Sequence, residues 1–392
     1  MTIFVSMLTV GGLPALLPDI ARSHELADWQ LGILAGIFGL ARMLADLPVG
    51  VFVTHRLRRA VVVAPFALTA GLLLLASGGP FGVLLLGRAL MGLAHTLGMV
   101  VGLTAILRFQ TGWGLAAALN AYEFAAMLGM LAATVTIGFL PRTLPWNTAL
   151  LVTGAPQLLA ILIVPALLAA LPKDELPRGA PRFARGARGG ASPRAGLTPL
   201  VVLAFAAGGV FAMTYSTLEQ FVIPLRGTRE FGLDRVGVAR MLMTIQAVDL
   251  VFLLPVGLVS DRLGARPVLG VVALMVAAAA ALIAFGDLPW AVGGCVLFGL
   301  GMTGWMLPLS VLRAGTRPEH VAWRTAVYRI AVDGGMFCGP FVSGLLAGRA
   351  AGLLATVLVG VLLILGVLLL GIRGLLAQAT HGETRPRGPR YD

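Results

Sequence analysis

Charge is what this sequence has least of. Only 12% of its 392 residues are Asp, Glu, Lys or Arg, against 58% hydrophobic, and the mean hydropathy is +0.94. A water-soluble domain carries about 25% charged residues. A chain this apolar lacks the polar surface to cover itself in water, whereas lipid asks for none. Lysine is nearly missing: Lys173 stands alone among 29 basic residues, which reads as codon preference rather than chemistry. Cysteine occurs twice, as Cys295 and Cys338 inside apolar runs. That excludes a disulfide framework and suits small packing residues. No H-E-x-x-H motif, acidic cluster, Ser/His/acid set or Gly-rich phosphate loop is present. No catalytic residue, metal or cofactor is therefore expected, nor ATP-driven work by this chain. The net charge of +12 could suggest nucleic acid. The arginines instead fill short gaps between apolar runs, so no nucleic-acid partner is expected.

Those apolar runs set the architecture. A spanning helix needs about 20 mostly apolar residues, and about twelve runs qualify: 2–20, 29–53, 60–78, 81–106, 114–140, 147–171, 199–224, 237–259, 267–286, 289–312, 322–347 and 351–372. The first has no basic lead-in and no small-residue cleavage site, so it reads as a span and not a signal peptide. Its missing polar lead-in suggests a start upstream of Met1. Residues 173–197, rich in Arg, Gly and Pro, read as a flexible basic linker. The expected organisation is a six-helix bundle over 1–172, the linker, a second six-helix bundle over 198–376 and a tail over 377–392. With an even number of spans, both termini share one side. Nineteen basic residues fall on that side and seven on the other, which places the termini in the cytoplasm and the chain in an inner membrane. Trp29, Trp146 and Trp290 fall at span ends, where belt anchoring is the default.

The two bundles read as copies of one unit. Leu47-Pro48-Val49-Gly50-Val51 recurs as Leu254-Pro255-Val256-Gly257-Leu258, and Tyr122-Glu123 with Gly129 recurs as Tyr328-Arg329 with Gly335. Two parallel six-span repeats form a transporter plan whose site lies between the halves at mid-membrane.

The loop after the eighth span reads Gly257, Ser260, Asp261, Arg262, Leu263, Gly264, Ala265, Arg266. This resembles the Gly-x-x-x-Asp-Arg-x-Gly-x-Arg signature of the major facilitator superfamily. The resemblance extends over essentially the whole chain. It implies an all-α polytopic membrane protein of two pseudo-symmetric six-helix bundles, working by alternating access. In the family this loop clamps helices on the cytoplasmic side, and the resemblance assigns that lock to Gly257, Asp261, Arg262, Gly264 and Arg266. Gly257 would let helices approach closely and Gly264 would permit the turn. The first-half copy departs from the pattern, with Thr54 and Leu57 in place of the acid and the second Gly. Arg88-x-x-x-Gly92 in span four resembles a second signature, whose Arg is associated with proton coupling. The Gly-Pro pair of antiporters is absent from span five; Gly339-Pro340 occurs in span eleven.

Charges inside the spans need a partner or a wet cavity. Arg42 and Asp46 are four residues apart on one helix, as are Arg329 and Asp333, spacing that permits an ion pair within each helix. Glu123 has no local partner, and such a carboxylate can bind and release a proton. Asp249 is a second candidate for proton coupling, with Arg88 and His95 beside them. Pairing of Glu123 with Arg88 or Arg329, or of Asp249 with Arg42, is the structural alternative. Asn120, Tyr122, Tyr215, Glu219, Gln220, Gln246 and Tyr328 can line a cavity or bind helices together. The expected function is secondary transport of a small molecule by a monomer in the bilayer, as proton-coupled export of a drug-like or amphipathic compound. The competing reading is an importer or facilitator of a polar or anionic metabolite, held by the deep arginines. A membrane enzyme or non-transporting receptor is the weaker reading.

Overall fold

The computed structural model describes residues 2–109, 114–171, 198–316, 321–347 and 352–382. Every regular element among them is helical: α1 (Thr2–Ser23), α2 (Asp28–Ala76), α3 (Phe81–Phe109), α4 (Gly114–Phe139), α5 (Trp146–Ala170), α6 (Pro199–Arg229), α7 (Arg235–Leu263), α8 (Ala265–Phe285), α9 (Leu288–Ala314), α10 (Val321–Leu346) and α11 (Leu353–Gly382). A backbone of helices satisfies its own N–H and C=O groups, as lipid requires.

Ten of these are long and apolar enough to cross a membrane. The 49 residues of α2 form two helical stretches whose summed length is about 74 Å at 1.5 Å per residue, enough for two crossings. It bends at Arg56, whose φ and ψ are −139° and 46°. The expected second and third spans are thus two helices joined by a kink at the non-helical Arg56. The helix α10, 26 residues long, carries Arg324, Arg329 and Asp333 and completes the set. Counting α2 twice gives twelve crossings. The helix α11 continues past the expected bundle end at 376 to Gly382.

Several helices are broken, and proline marks most breaks. Gly12 divides α1 ahead of Pro14, and α5 falls into Trp146–Gly154, Gln157–Leu162 and Val164–Ala170 around Pro156 and Pro165. In α6 the turn Leu218–Val222 is π-helical. Pro224 follows it and has no N–H to offer the Gln220 carbonyl.

The repeat is visible in how helices touch. Gly92 of α3 lies against α2, where a Cβ would come 2.6 Å from the Phe38 carbonyl oxygen. Gly299 of α9, 207 residues on, lies against α7, with the Ile245 carbonyl 2.5 Å from the same point. Phe38 and Ile245 are themselves 207 apart. Likewise Gly129 of α4 abuts the Phe4 carbonyl of α1, and Gly335 of α10 abuts the Gly209 carbonyl of α6. Equivalent glycines thus bring equivalent backbones together in both halves.

Candidate functional site

The halves meet along α2 and α10, which run antiparallel. Gly32 of α2 faces the Pro340 carbonyl of α10, and Gly36 faces that of Phe337. Arg42 then meets Asp333 at 2.9 Å, a charge contact without hydrogen-bond alignment. One turn further, Arg329 donates two hydrogen bonds to Asp46, at 2.8 and 3.2 Å. The intrahelical pairs allowed by the sequence are not formed; the partners are exchanged between the halves. Beyond this point the helices part. A pocket lined by Asp46, Leu47, Val100, Ala326, Arg329 and Ile330 opens toward the face that holds Leu171 and Thr198, here the linker face.

The opposite, far face is closed by charge. Arg229 reaches Asp28 at 2.6 Å, Arg142 reaches Asp234 at 2.7 Å and Arg235 lies 3.5 Å from Asp19. Arg235 also donates to the carbonyls of Pro141 and Leu144, at 2.6 and 3.0 Å. Among the described residues, the five ion pairs between the halves all lie at mid-depth or on the far face. The far-face set was not singled out in the sequence. Its signal was there, as opposite charges at the ends of spans on either side of the repeat.

Mid-depth residues flank the midline. In the first half, Arg88 is 3% exposed, stacks 4.4 Å above the Phe38 ring and donates to the Val10 carbonyl at 3.4 Å. His95 is buried, with Nδ1 3.0 Å from Ser6 Oγ and its ring 5.6 Å from Phe38. Tyr122 donates to the Met99 carbonyl at 3.2 Å. Glu123 is half-buried on the same turn of α4 and makes no ion pair among the described residues. Neither Arg88 nor Arg329 serves it. The Asn120 side chain lies outside the described residues.

In the second half the π turn carries Glu219 and Gln220 into the interior, both buried. Gln246 Nε2 donates to Glu219 Oε1 at 2.7 Å. Asp249 lies one turn along α7, 5% exposed, with Oδ1 lacking a partner. Arg42, its sequence counterpart 207 residues earlier, is committed to Asp333. Asp249 lies within reach of the charges on Glu219 and Glu123. Tyr215 bridges the halves through a contact with Met130 Sδ at 3.8 Å and packs edge-on against Trp305 at 5.7 Å. Tyr328 is buried against Gly208 of α6.

The signature loop stands apart from these contacts. Gly264 has φ of +90° and makes the turn between α7 and α8. Asp261 and Arg262 are exposed, and neither they nor Arg266 form an ion pair among the described residues. Gly257 has nothing within 4 Å of a Cβ position, so the expected close approach is absent from this conformation. Both follow from the parted linker face. Of the three tryptophans, Trp29 and Trp290 are exposed, whereas Trp146 is buried edge-on against His24 at 5.6 Å. Among the described residues no three His, Cys, Asp or Glu side chains could hold a metal ion.

The sequence model described as Major Facilitator Superfamily matches residues 1–247. No curated protein matches the sequence. Among solved structures, a mutant of the peptide transporter POT in complex with sulfate aligns with a TM-score of 0.77 and 14% identity, over 96% of this chain and 94% of its own. A bacterial homolog of the human lysosomal transporter Spinster, inward-facing and unoccupied, aligns at 0.70 and 17%, over 99% and 97%. The human organic anion transporter MFSD10 (TETRAN) aligns at 0.67 and 18%, over 94% and 97%. At such identities the likeness is one of fold. Two repeated bundles, a midline crevice closed on one face, the signature loop and the matching family model converge on a transporter and not an enzyme: the chain belongs to the major facilitator superfamily.

Proposed function

We propose that this transporter exports an amphipathic organic compound in exchange for protons, with Asp249 and Glu219 as the groups that carry the proton and Glu123 completing the set. The observation that carries the reading is the pair of buried carboxylates in α6 and α7 with no cation on either among the described residues. An ionised carboxylate so placed is costly, and proton uptake relieves the cost. The π turn that holds Glu219 is a form often found at working sites. Apolar walls at Leu47, Val100 and Ile330 suit the greasy part of such a compound. We place the protein in an inner membrane as a monomer with both termini cytoplasmic, on the basic excess of that side. The crevice then faces the cytoplasm.

Purified protein in liposomes, given a pH step and a candidate compound, tests this. Compound should move against the proton flow, and Asp249→Asn or Glu219→Gln should abolish accumulation while leaving exchange at equal pH. Flux indifferent to the pH step refutes coupling. Compound moving with the proton refutes export.

A second reading, uptake or facilitation of an anionic metabolite, is favoured by Arg88. It is buried with no carboxylate partner and with Nε unpaired among the described residues. A substrate anion would supply that partner. Inhibition of flux by simple carboxylates, lost in Arg88→Gln, would select it.

A further inference from the structure

A second pocket, of about 250 Å³, lies on the far face in the wall between the halves. Arg22, Glu25 and Leu26 line it from the end of α1 and the turn after it, and Leu225, Thr228 and Arg229 line it from the end of α6. Glu25 is the one residue other than glycine with a positive φ among the described residues, at +49°. The left-handed turn itself does not ask for Glu. In the repeat, Gly232 makes the same turn 207 residues on, with φ of +62°, and a leucine follows in both copies, Leu26 and Leu233. Glycine takes this backbone freely, whereas a side chain strains it. The first half thus carries strain while setting a carboxylate at the pocket, and retained strain marks ligand clamps and switches.

The pocket also holds a cation that is only loosely engaged. Arg22 and Arg229 are repeat counterparts, 207 residues apart and each three residues before the turn. Arg229 crosses to Asp28 at the start of α2, 2.6 Å away. The matching cross-pair would join Arg22 to Asp234 at the start of α7. Asp234 is instead taken by Arg142 at 2.7 Å and by the backbone N–H of Gly237 at 2.9 Å. Arg22 keeps a contact of 3.9 Å with Asp19, which Arg235 also approaches, at 3.5 Å. The Glu25 carboxylate has no ion pair or hydrogen bond among the described residues. One free carboxylate and one loosely held guanidinium thus line the pocket beside Leu26 and Leu225, and do not pair with each other.

We infer that this pocket is a second, regulatory site that takes a small zwitterion with an apolar side chain, of the α-amino-acid kind, and that the bound ligand holds the far face closed. Its carboxylate fits the Arg22 guanidinium fork and its ammonium fits the Glu25 carboxylate, while its side chain lies on Leu26 and Leu225. A lone anion leaves Glu25 unmatched, and a lone cation leaves Arg22 so. The volume falls below the roughly 300–1,000 Å³ of pockets for drug-sized ligands, which suits a molecule of amino-acid size. The walls belong to different halves and stand beside the Arg229–Asp28 pair, so opening the far face takes the site apart. A ligand that binds only the closed arrangement shifts the population toward it. Bound from the far side, it slows turnover without entering the crevice. The inference needs alternating access alone, and neither proton coupling nor a direction of transport.

Binding to the full-length protein in detergent tests the site, with thermal unfolding as the readout. L-leucine and L-phenylalanine should raise the midpoint. 4-Methylpentanoate and 3-methylbutylamine, each with one of the two charges, should not. Arg22→Gln should weaken leucine about 3- to 10-fold, the loss of one partly exposed charge contact. Glu25→Gly should weaken it as much while raising the midpoint of the unliganded protein, because it relieves the left-handed strain. That outcome separates a lost ligand contact from a damaged fold. With spin labels at His55 and Asp261 on the linker face, leucine should shrink the short-distance population, and Glu25→Gly should remove that effect. Failure of both amino acids to bind, equal binding of the acid or the amine, or unchanged affinity in both variants would overturn the site. A short-distance population that holds or grows with leucine would overturn its closing role.

Discussion

Arg42 pairs with Asp333, 2.9 Å away in the opposite half, and not with Asp46 one turn along its own helix. In both α2 and α10 the Arg precedes the Asp by four residues, the weaker order for an intrahelical pair. Antiparallel packing sets each Arg opposite the other helix's Asp, and the partners cross. Two rungs therefore join the halves at mid-depth, just where the linker-face crevice begins.

Breaking a rung should be costly. Asp333→Asn leaves Arg42 without its counter-charge at a site where Asp333 is 1% exposed, at a cost of about 3–5 kcal/mol. Exchanging the charges, Arg42→Asp with Asp333→Arg, should recover most of it. Thermal unfolding in detergent measures both, and a single variant as stable as wild type would refute the pairing.

The far-face pairs should act on conformation more than on folding. Each is partly exposed and worth about 0.2–1 kcal/mol. Asp28→Asn combined with Asp234→Asn should shift the population severalfold toward a far-face-open form. Spin labels at His55 and Asp261 on the linker face would report it as a growing short-distance population. An unchanged distance distribution would show that these pairs do not hold the face.

Glycine at matched repeat positions should be irreplaceable. Gly335→Ala puts a methyl against the Gly209 backbone carbonyl, and Gly129→Ala against that of Phe4. Both should lose folded protein on size-exclusion chromatography. Gly257→Ala meets nothing and should be neutral or stabilising by up to about 1 kcal/mol. Reduced transport by that stable variant would mean that Gly257 is needed in another conformation.

Arg88→Lys should keep the charge but lose the flat contact with Phe38. The expected cost is about 0.5–2 kcal/mol, read as a lower unfolding midpoint. Phe38→Leu in the same background should add little, since the two changes remove one interaction. Additive losses would contradict the stack.

Much of the fold was legible because lipid is an undemanding reader of sequence. It needs long apolar runs, and the runs between 2 and 372 gave the crossings, the repeat and the halves. The bends were less legible. The kink of α2 at Arg56 and the π turn at Leu218–Val222 depend on what packs around them. The site was legible as a roster of deep charges and not as a set of partnerships. Arg42, Asp46, Arg329 and Asp333 were all found, but their pairing was assigned within helices. Trp146 looked like a belt residue until His24 was found beside it.

The sequence by itself determined that this protein lives in lipid, crosses it repeatedly as two related bundles, and carries a family signature at the eighth span. Those facts follow from composition and period, which act locally along the chain. Tertiary structure alone decided which charges neutralise each other and which remain without a partner. Neutralisation depends on distances between helices 200 or more residues apart in sequence, as for Asp28 and Arg229. Asp249 and Glu219 stand out because, among the described residues, no cation forms an ion pair with either.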